Sequence, residues 1–212
     1  MKAILFDFDG VLIQSMEDHY RGWKKALKRY GIEMTPDELY MMEGQGIKGV
    51  ANEIGRKYHL SVEDTGEIMK DKQKHYNKIK KLRHYPNLLD VLSWAADKDL
   101  KLGIVTGGTR TRVLEALDSF GIQDYFQTIV TSDEVSETKP SPEPYLLAAT
   151  QLNLEAQDCV VIENAPLGIR SGKAAGMKVI GITTTLNSHH LREADVVVGN
   201  FTDLLRTLKK LY

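Results

Sequence analysis

The sequence predicts an α/β protein: a mostly parallel sheet covered on both faces, with a small all-helical domain inserted after the first strand. Short, fully apolar, β-rich runs recur at KAILFDF, KLGIVT, FQTIVT, DCVVIE, MKVIGIT and ADVVVG, as in strands buried on both faces. Helical stretches of about a dozen residues separate most of them, and strand, helix, strand repetition implies a Rossmann-like, doubly wound sheet. Between Gln14 and about Arg83 the strand runs stop and only helical periodicity remains. The expected division is a sheet domain from 1–13 and 84–212 and a helical cap domain from 14–83.

The chain has 212 residues, 42% hydrophobic and 27% charged, long enough for a full core and a second small domain. A formal net charge of -1 gives no reason to expect nucleic acid or anionic membrane as a partner. The most basic stretch, KDKQKHYNKIKKLRH from Lys70 to His84, reads as a solvated helix face. No apolar run reaches the ~18 residues of a membrane span, and no charged n-region with a small-residue cleavage site opens the chain. A cytoplasmic monomer is the expectation. Cys159 is the only cysteine and lies in the apolar run CVVIE, so disulfides and thiolate metal clusters are excluded.

Each element has local reasons. In MEDHYRGWKKALKRYG, Tyr20, Trp23, Leu27 and Tyr30 recur at three- and four-residue spacing, which marks the packed side of a helix and makes the aromatics cap core rather than a binding box. TPDELYMM restarts a helix with Thr35 as N-cap, Pro36 in the first turn and Glu38 at the capping-box position. YPNLLDVL, from Tyr85, opens the return to the sheet. The helix from Val113 to Phe120 stops at Gly121 and the one from Pro166 to Ala175 at Gly176, both suited to a left-handed C-cap.

The chemistry lies at strand ends, where open parallel sheets bind ligands. The first run ends in LFDFDGVL. A period of two would send Asp7 and Asp9 one way and Phe6 and Phe8 the other, so two like charges meet at a buried edge and need a cation or a proton relay. After the other runs come Thr106 with Gly107 and Gly108, then Lys139 in SETKPSPEPY, then Glu163 with Asn164. Acid, hydroxyl, lysine and acid on one edge form the inventory for phosphoryl transfer.

DFDGVL, VTGGT, KPSPEPY and VVIENAPLGIRSGKAAGM resemble, in order, the four motifs of the haloacid dehalogenase superfamily, in the branch whose helical cap follows the first motif and which includes the β-phosphoglucomutase-like phosphatases. The resemblance covers essentially the whole chain. It implies an Mg²⁺-dependent phosphohydrolase acting on a small phosphorylated metabolite, a sugar phosphate or pyrophosphate, through an aspartyl-phosphate. On it, Asp7 is the nucleophile, Asp9 the acid and base, and Thr106, Gly107 and Lys139 the phosphoryl-binding groups. The same resemblance puts Mg²⁺ among the Asp7 carboxylate, the Asp9 carbonyl, Glu163 and Asn164. The cation and Lys139 would then make the carboxylate pair tolerable.

Two features depart from the pattern. The acidic loop, usually Glu-Asp, reads Glu163-Asn164, which removes one negative charge from the metal site. Near EGQGIKG, where the sugar phosphomutases carry a phosphate-binding arginine, there is Glu43, with Lys48 nearby. A carboxylate there repels a second phosphate unless it reaches it through metal or water, which favours hydrolysis over the alternative, a sugar phosphomutase. A phospho-accepting receiver domain, the non-enzyme alternative, is much shorter and has no helical insertion. His19 matches a cap-hinge histidine and Lys72 lies near a cap lysine of the mutases, so both join Glu43 as candidate substrate-binding residues. His189 and His190 are assigned to solvent. Hinges for cap movement are expected near 13–16 and 82–86.

Overall fold

The computed structural model describes residues 1–212. All six apolar runs form strands: β1 (Ala3–Phe6), β2 (Lys101–Val105), β3 (Thr128–Val130), β4 (Cys159–Glu163), β5 (Lys178–Ile182) and β6 (Val196–Val198). They make one sheet in the order β3-β2-β1-β4-β5-β6, with every neighbouring pair parallel. Ala3 pairs with Lys101 on one side and Cys159 on the other. The order reverses at β1, so its carboxyl end opens into the crevice where such sheets bind ligands.

The pleat sorts alternate residues between two apolar layers. Leu5, Val105, Val161 and Val179 pack with Tyr145, Ala148 and Ile169 from helices α7 (Glu143–Gln151) and α8 (Pro166–Ala174). Ile4, Phe6, Ile104, Ile162 and Ile180 pack on the other face, covered by α5 (Leu88–Asp97), α6 (Arg110–Phe120) and α9 (Phe201–Leu211). Gly121 closes α6 with φ 65°. Gly176, at φ 76°, follows the end of α8.

Four helices fill the insertion: α1 (Met16–Leu27), α2 (Pro36–Tyr40), α3 (Gly46–Lys57) and α4 (Val62–Ile79). Thr35 forms the full capping box with Glu38 at the start of α2. Trp23, Leu27, Leu39, Val50, Ile54 and Ile68 are buried together, and Tyr20 and Tyr30 pack against them. The two crossings between sheet and helices run side by side, with Gln14 N donating to Arg83 O at 2.8 Å and Gln14 Nε2 to His84 O at 3.0 Å.

The basic stretch departs from a purely solvated face. α4 stops at Ile79, and its buried line is Thr65, Ile68, Lys72 and Tyr76. Lys72 is drawn inward because its ammonium lies over the rings of Trp23 and Tyr76, 5.5 and 4.9 Å from their centroids, and donates to a buried histidine. No helix is long and apolar enough to cross a membrane. The rings of His189 and His190 lie 3.8 Å apart between centroids, tilted by 41°.

Candidate active site

The strand hydrogen bonding of β1 continues one residue further, with Asp7 N donating to Ile162 O at 3.0 Å. The chain then turns through Gly10 at φ 79°. A Cβ there would lie 2.2 Å from Asn164 Nδ2, so glycine both makes the turn and lets the first and fourth motifs touch. Phe6 and Phe8 are buried in the same apolar layer, and Asp7 and Asp9 both line one cavity of about 950 Å³ between the sheet end and the helical insertion.

Lys139 is almost wholly buried and all three of its N–H groups are engaged. Nζ donates to Asp7 Oδ1 at 2.6 Å, Glu163 Oε1 at 2.7 Å and Val105 O at 2.9 Å. Burial opposes the ammonium charge, but Asp7 and Glu163 outweigh it and raise the lysine pKa. Burial likewise pushes the Asp7 carboxyl up, against Lys139 and with the Glu163 charge adding to the push. Glu163 also accepts from Tyr145 OH at 2.9 Å on Oε1, and from the N–H groups of Asn164 and Ala165 at 3.1 and 3.4 Å on Oε2.

Thr106 continues the ladder by donating from N to Val130 O at 2.9 Å. Its Oγ1 accepts from Gly108 N at 3.0 Å, leaving the hydroxyl hydrogen and the unbonded Gly107 N–H for an anion at the start of α6. The insertion closes directly over this loop. A Cβ on Gly46 would lie 2.7 Å from Gly107 O, and one on Gly107 would lie 2.7 Å from Gly46 N.

Three oxygens of the first and fourth motifs accept no hydrogen bond within the protein: Asp7 Oδ2, the Asp9 carbonyl and Asn164 Oδ1. Asn164 Nδ2 donates to Thr185 Oγ1 at 2.9 Å, which turns its amide oxygen the other way. An all-oxygen set with few protein ligands fits Mg²⁺, which keeps several waters or phosphate oxygens. Glu163 reaches the site as well, but both its oxygens already hold protein donors, so its visible work is to fix Lys139 and the Asn164 backbone.

Asp9 is balanced by a different cation from Asp7. The expectation that Lys139 would serve both acids is corrected by Arg112 of α6, whose Nη1 donates to Asp9 Oδ1 at 2.7 Å and whose Nη2 donates to Oδ2. Asp9 Oδ1 also accepts from Ser15 Oγ at 2.5 Å and contacts His19 Nε2 at 3.2 Å. Burial would raise the Asp9 carboxyl, but Arg112 first and His19 second hold it well below the usual range.

The helical insertion adds its own chain of contacts. Lys72 Nζ lies 2.9 Å from His19 Nδ1. An ammonium only donates, so Nδ1 accepts and Nε2 carries the hydrogen that faces Asp9. Burial and the Lys72 charge lower the His19 pKa to about 4, which keeps the ring neutral. Burial lowers Lys72 to about 8, opposed by Glu43. Glu43 lines the cavity with no side-chain partner, and burial raises it to about 7, opposed by Lys72. Lys48 stands exposed at the cavity wall.

All the sequence-predicted site residues therefore reach one cavity or its buried wall. Sequence reasoning missed Arg112, Ser15, Tyr145 and Thr185. Only Arg112 carried a local signal: it follows VTGGT in the first turn of a helix that starts beside the strand end.

A parallel sheet with this order, four motif residues at its carboxyl edge and a helical insertion after β1 define the class of capped α/β phosphoryl-transfer folds. The sequence profile of the haloacid dehalogenase-like hydrolases matches residues 4–182, and the chain belongs to that family. It is 30% identical over 208 residues to validoxylamine A 7'-phosphate phosphatase of Streptomyces hygroscopicus subsp. limoneus, covering 96% of this chain and 95% of that one. Hexitol phosphatase A of Escherichia coli is 29% identical over 220 residues, covering 97% and 94%. A solved structure described as a candidate β-phosphoglucomutase from Bacteroides vulgatus superposes with a TM-score of 0.88 at 33% identity, over 100% of this chain and 88% of that one.

Proposed function

We propose that the chain is an Mg²⁺-dependent phosphohydrolase that takes a small phosphorylated metabolite, a sugar phosphate or pyrophosphate, through a phosphoenzyme on Asp7. The observation that carries this reading is the Lys139 ammonium bridging Asp7 Oδ1 and Glu163 Oε1 while Asp7 Oδ2 stays without a donor. One carboxylate oxygen is anchored and the other is left to attack phosphorus. Asp7, the Asp9 carbonyl and Asn164 would hold Mg²⁺, which when bound supplies charge neutralisation at the phosphoryl oxygens.

In the first step the Asp7 oxygen bonds to phosphorus, the bond from phosphorus to the leaving oxygen breaks, and Asp9, protonated against the pull of Arg112 and His19 when the anionic phosphoryl group enters beside it, delivers that proton to the leaving oxygen. In the second, Asp9 takes a proton from water as the water oxygen bonds to phosphorus and the bond to Asp7 breaks, releasing orthophosphate. Thr106 and Gly107 donate to the phosphoryl oxygens, and the Lys139 ammonium, its three N–H groups taken by protein acceptors, supplies positive charge beside them. His19, Glu43 and Lys72 face the leaving portion of the substrate. The buried free Cys159 suits a reducing cytoplasm.

The second reading is a sugar phosphomutase, favoured by the likeness to the Bacteroides vulgatus structure. Glu43 counts against it, because a carboxylate at that place in the insertion repels a returning second phosphate. The test is release of inorganic phosphate with and without Mg²⁺ from sugar phosphates, hexitol phosphates, phosphoglycolate and pyrophosphate, with Asp7→Asn as control. Metal-dependent release abolished in the control supports the hydrolase. Isomerisation of β-glucose 1-phosphate without release supports the mutase.

A further inference from the structure

The Asp9 carboxylate is held from two domains and unequally at its two oxygens. Oδ1 faces three donors, Ser15 Oγ, His19 Nε2 and Arg112 Nη1, while Oδ2 meets only Arg112 Nη2. A carboxylate offers about four lone-pair positions, two on each oxygen. Oδ1 is thus saturated and Oδ2 retains one open position. Ser15 and His19 both act on the same oxygen and restrain the carboxylate from that side only. Arg112 alone holds both oxygens, because a guanidinium fork meets the two in one plane.

Arg112 is itself fixed. It stands in the first turn of α6, its guanidinium carbon lies 5.2 Å from the Phe8 ring centroid and 5.9 Å from that of Tyr76, and Nη1 reaches Tyr76 OH at 3.4 Å. Just past the end of α4, Lys80 Nζ donates to Glu115 of α6, to Oε1 at 2.7 Å and Oε2 at 2.5 Å. These contacts set α4 of the insertion against α6 of the sheet domain with the guanidinium between them. The glycine at 108 leaves it room, since a Cβ there would lie 2.3 Å from Nη2.

We infer that Arg112 is the positioning residue for Asp9: its two-point clamp fixes the carboxylate plane so that Oδ2 is the oxygen that exchanges the proton with the leaving group and then with water. The inference rests on the proposed role of Asp9. A lysine in its place grips one oxygen only, and glutamine offers a single donor group, so both variants release the plane while leaving Lys139, Thr106 and the phosphoryl-binding groups untouched.

The experiment compares wild type, Arg112→Lys and Arg112→Gln on an alkyl ester, glycerol phosphate, and an aryl ester, p-nitrophenyl phosphate, with a crystal structure of R112Q alongside. The alkyl leaving group needs its proton and the aryl one does not, and a positioned acid contributes 10²-fold or more. Expected is a fall in kcat/KM of about 100-fold on the alkyl ester and under about 10-fold on the aryl ester in both variants, because kcat/KM reports the step that expels the leaving group. Equal losses on both esters, or full activity in R112K, overturn the assignment. If wild type hydrolyses neither ester, the phosphohydrolase reading is left to the phosphate-release panel, and the crystal structure decides the Arg112 assignment: an Asp9 carboxylate plane rotated in R112Q supports it, and an unchanged one overturns it.

Discussion

Lys72 on α4 donates to His19 on α1 across 2.9 Å, and through that ring the insertion reaches Asp9 of the sheet domain at 3.2 Å. The tautomer of His19 is thereby set by a residue 53 positions away. Lys72→Met removes the donor that fixes Nδ1 as acceptor and lets the ring present either nitrogen to Asp9. Turnover on an alkyl phosphate is expected to fall by about 10-fold or more, as for loss of a group that orients another. Steady-state rates, with two-dimensional NMR of the imidazole nitrogens reporting the tautomer, check it.

Lys139 bridges two carboxylates that have almost no access to water. Removing one partner of such a set leaves buried charge without compensation, at a cost of about 3–5 kcal/mol. Lys139→Met is expected to unfold in urea with a loss of that order and to release no phosphate. A variant of wild-type stability would show that Asp7 and Glu163 share a proton instead.

Glu43 and Lys72 make opposite contributions to stability against pH. The folded pKa of Glu43, about 7, lies above its ordinary 4.5, so the folded state holds a proton that the unfolded chain has lost, and stability falls as pH rises through this interval. Lys72, at about 8 against 10.5, loses its proton first in the folded state, so its contribution improves as pH rises from about 8 to 10.5. Melting temperatures of the metal-free protein are expected to fall from pH 5 to 7 in wild type, and less steeply in Glu43→Gln.

Asn164 places an amide oxygen where a second carboxylate would raise the charge of the proposed Mg²⁺ set. Asn164→Asp retains the contact to Thr185, whose hydroxyl hydrogen turns from the Asn164 carbonyl, 3.4 Å away, to the new carboxylate. Mg²⁺ affinity is expected to rise by about tenfold or more, since ligand charge tunes binding at oxygen sites. Calorimetry measures it directly, and an unchanged dissociation constant would place the amide oxygen outside the coordination shell.

The closeness of Gly46 and Gly107 makes the cap contact sensitive to a single carbon. Gly107→Ala sets a Cβ 2.7 Å from Gly46 N and 2.8 Å from Gly44 O, with backbone on the far side that cannot rotate away. A cost of about 1–3 kcal/mol is expected from such overpacking, along with a wider separation of insertion and sheet in solution scattering.

The sequence by itself determined what depends on neighbours along the chain. Six apolar runs became six strands, Gly121 ended its helix, Thr35 and Glu38 formed their box, and the motif residues stood at strand ends, because strand alternation, capping and left-handed turns are local physics. Asp7 and Thr106 were legible because each follows directly on a buried strand, Glu163 because it ends one, and Lys139 because it lies on the loop after β3; parallel strands bring those ends together.

Only the tertiary structure decided which charge meets which. Arg112 lies 103 positions from Asp9, and no period in the sequence separates it from Arg110, which instead pairs with Glu134. Lys72 reads as one more lysine on a basic helix until α1 and α4 pack, and then a single turn of register puts it inside and its neighbours outside. A pairwise charge contact is set by position in space after packing, so hydrophobic periodicity, which chooses the buried face, carries no information on which ion pairs that face will close.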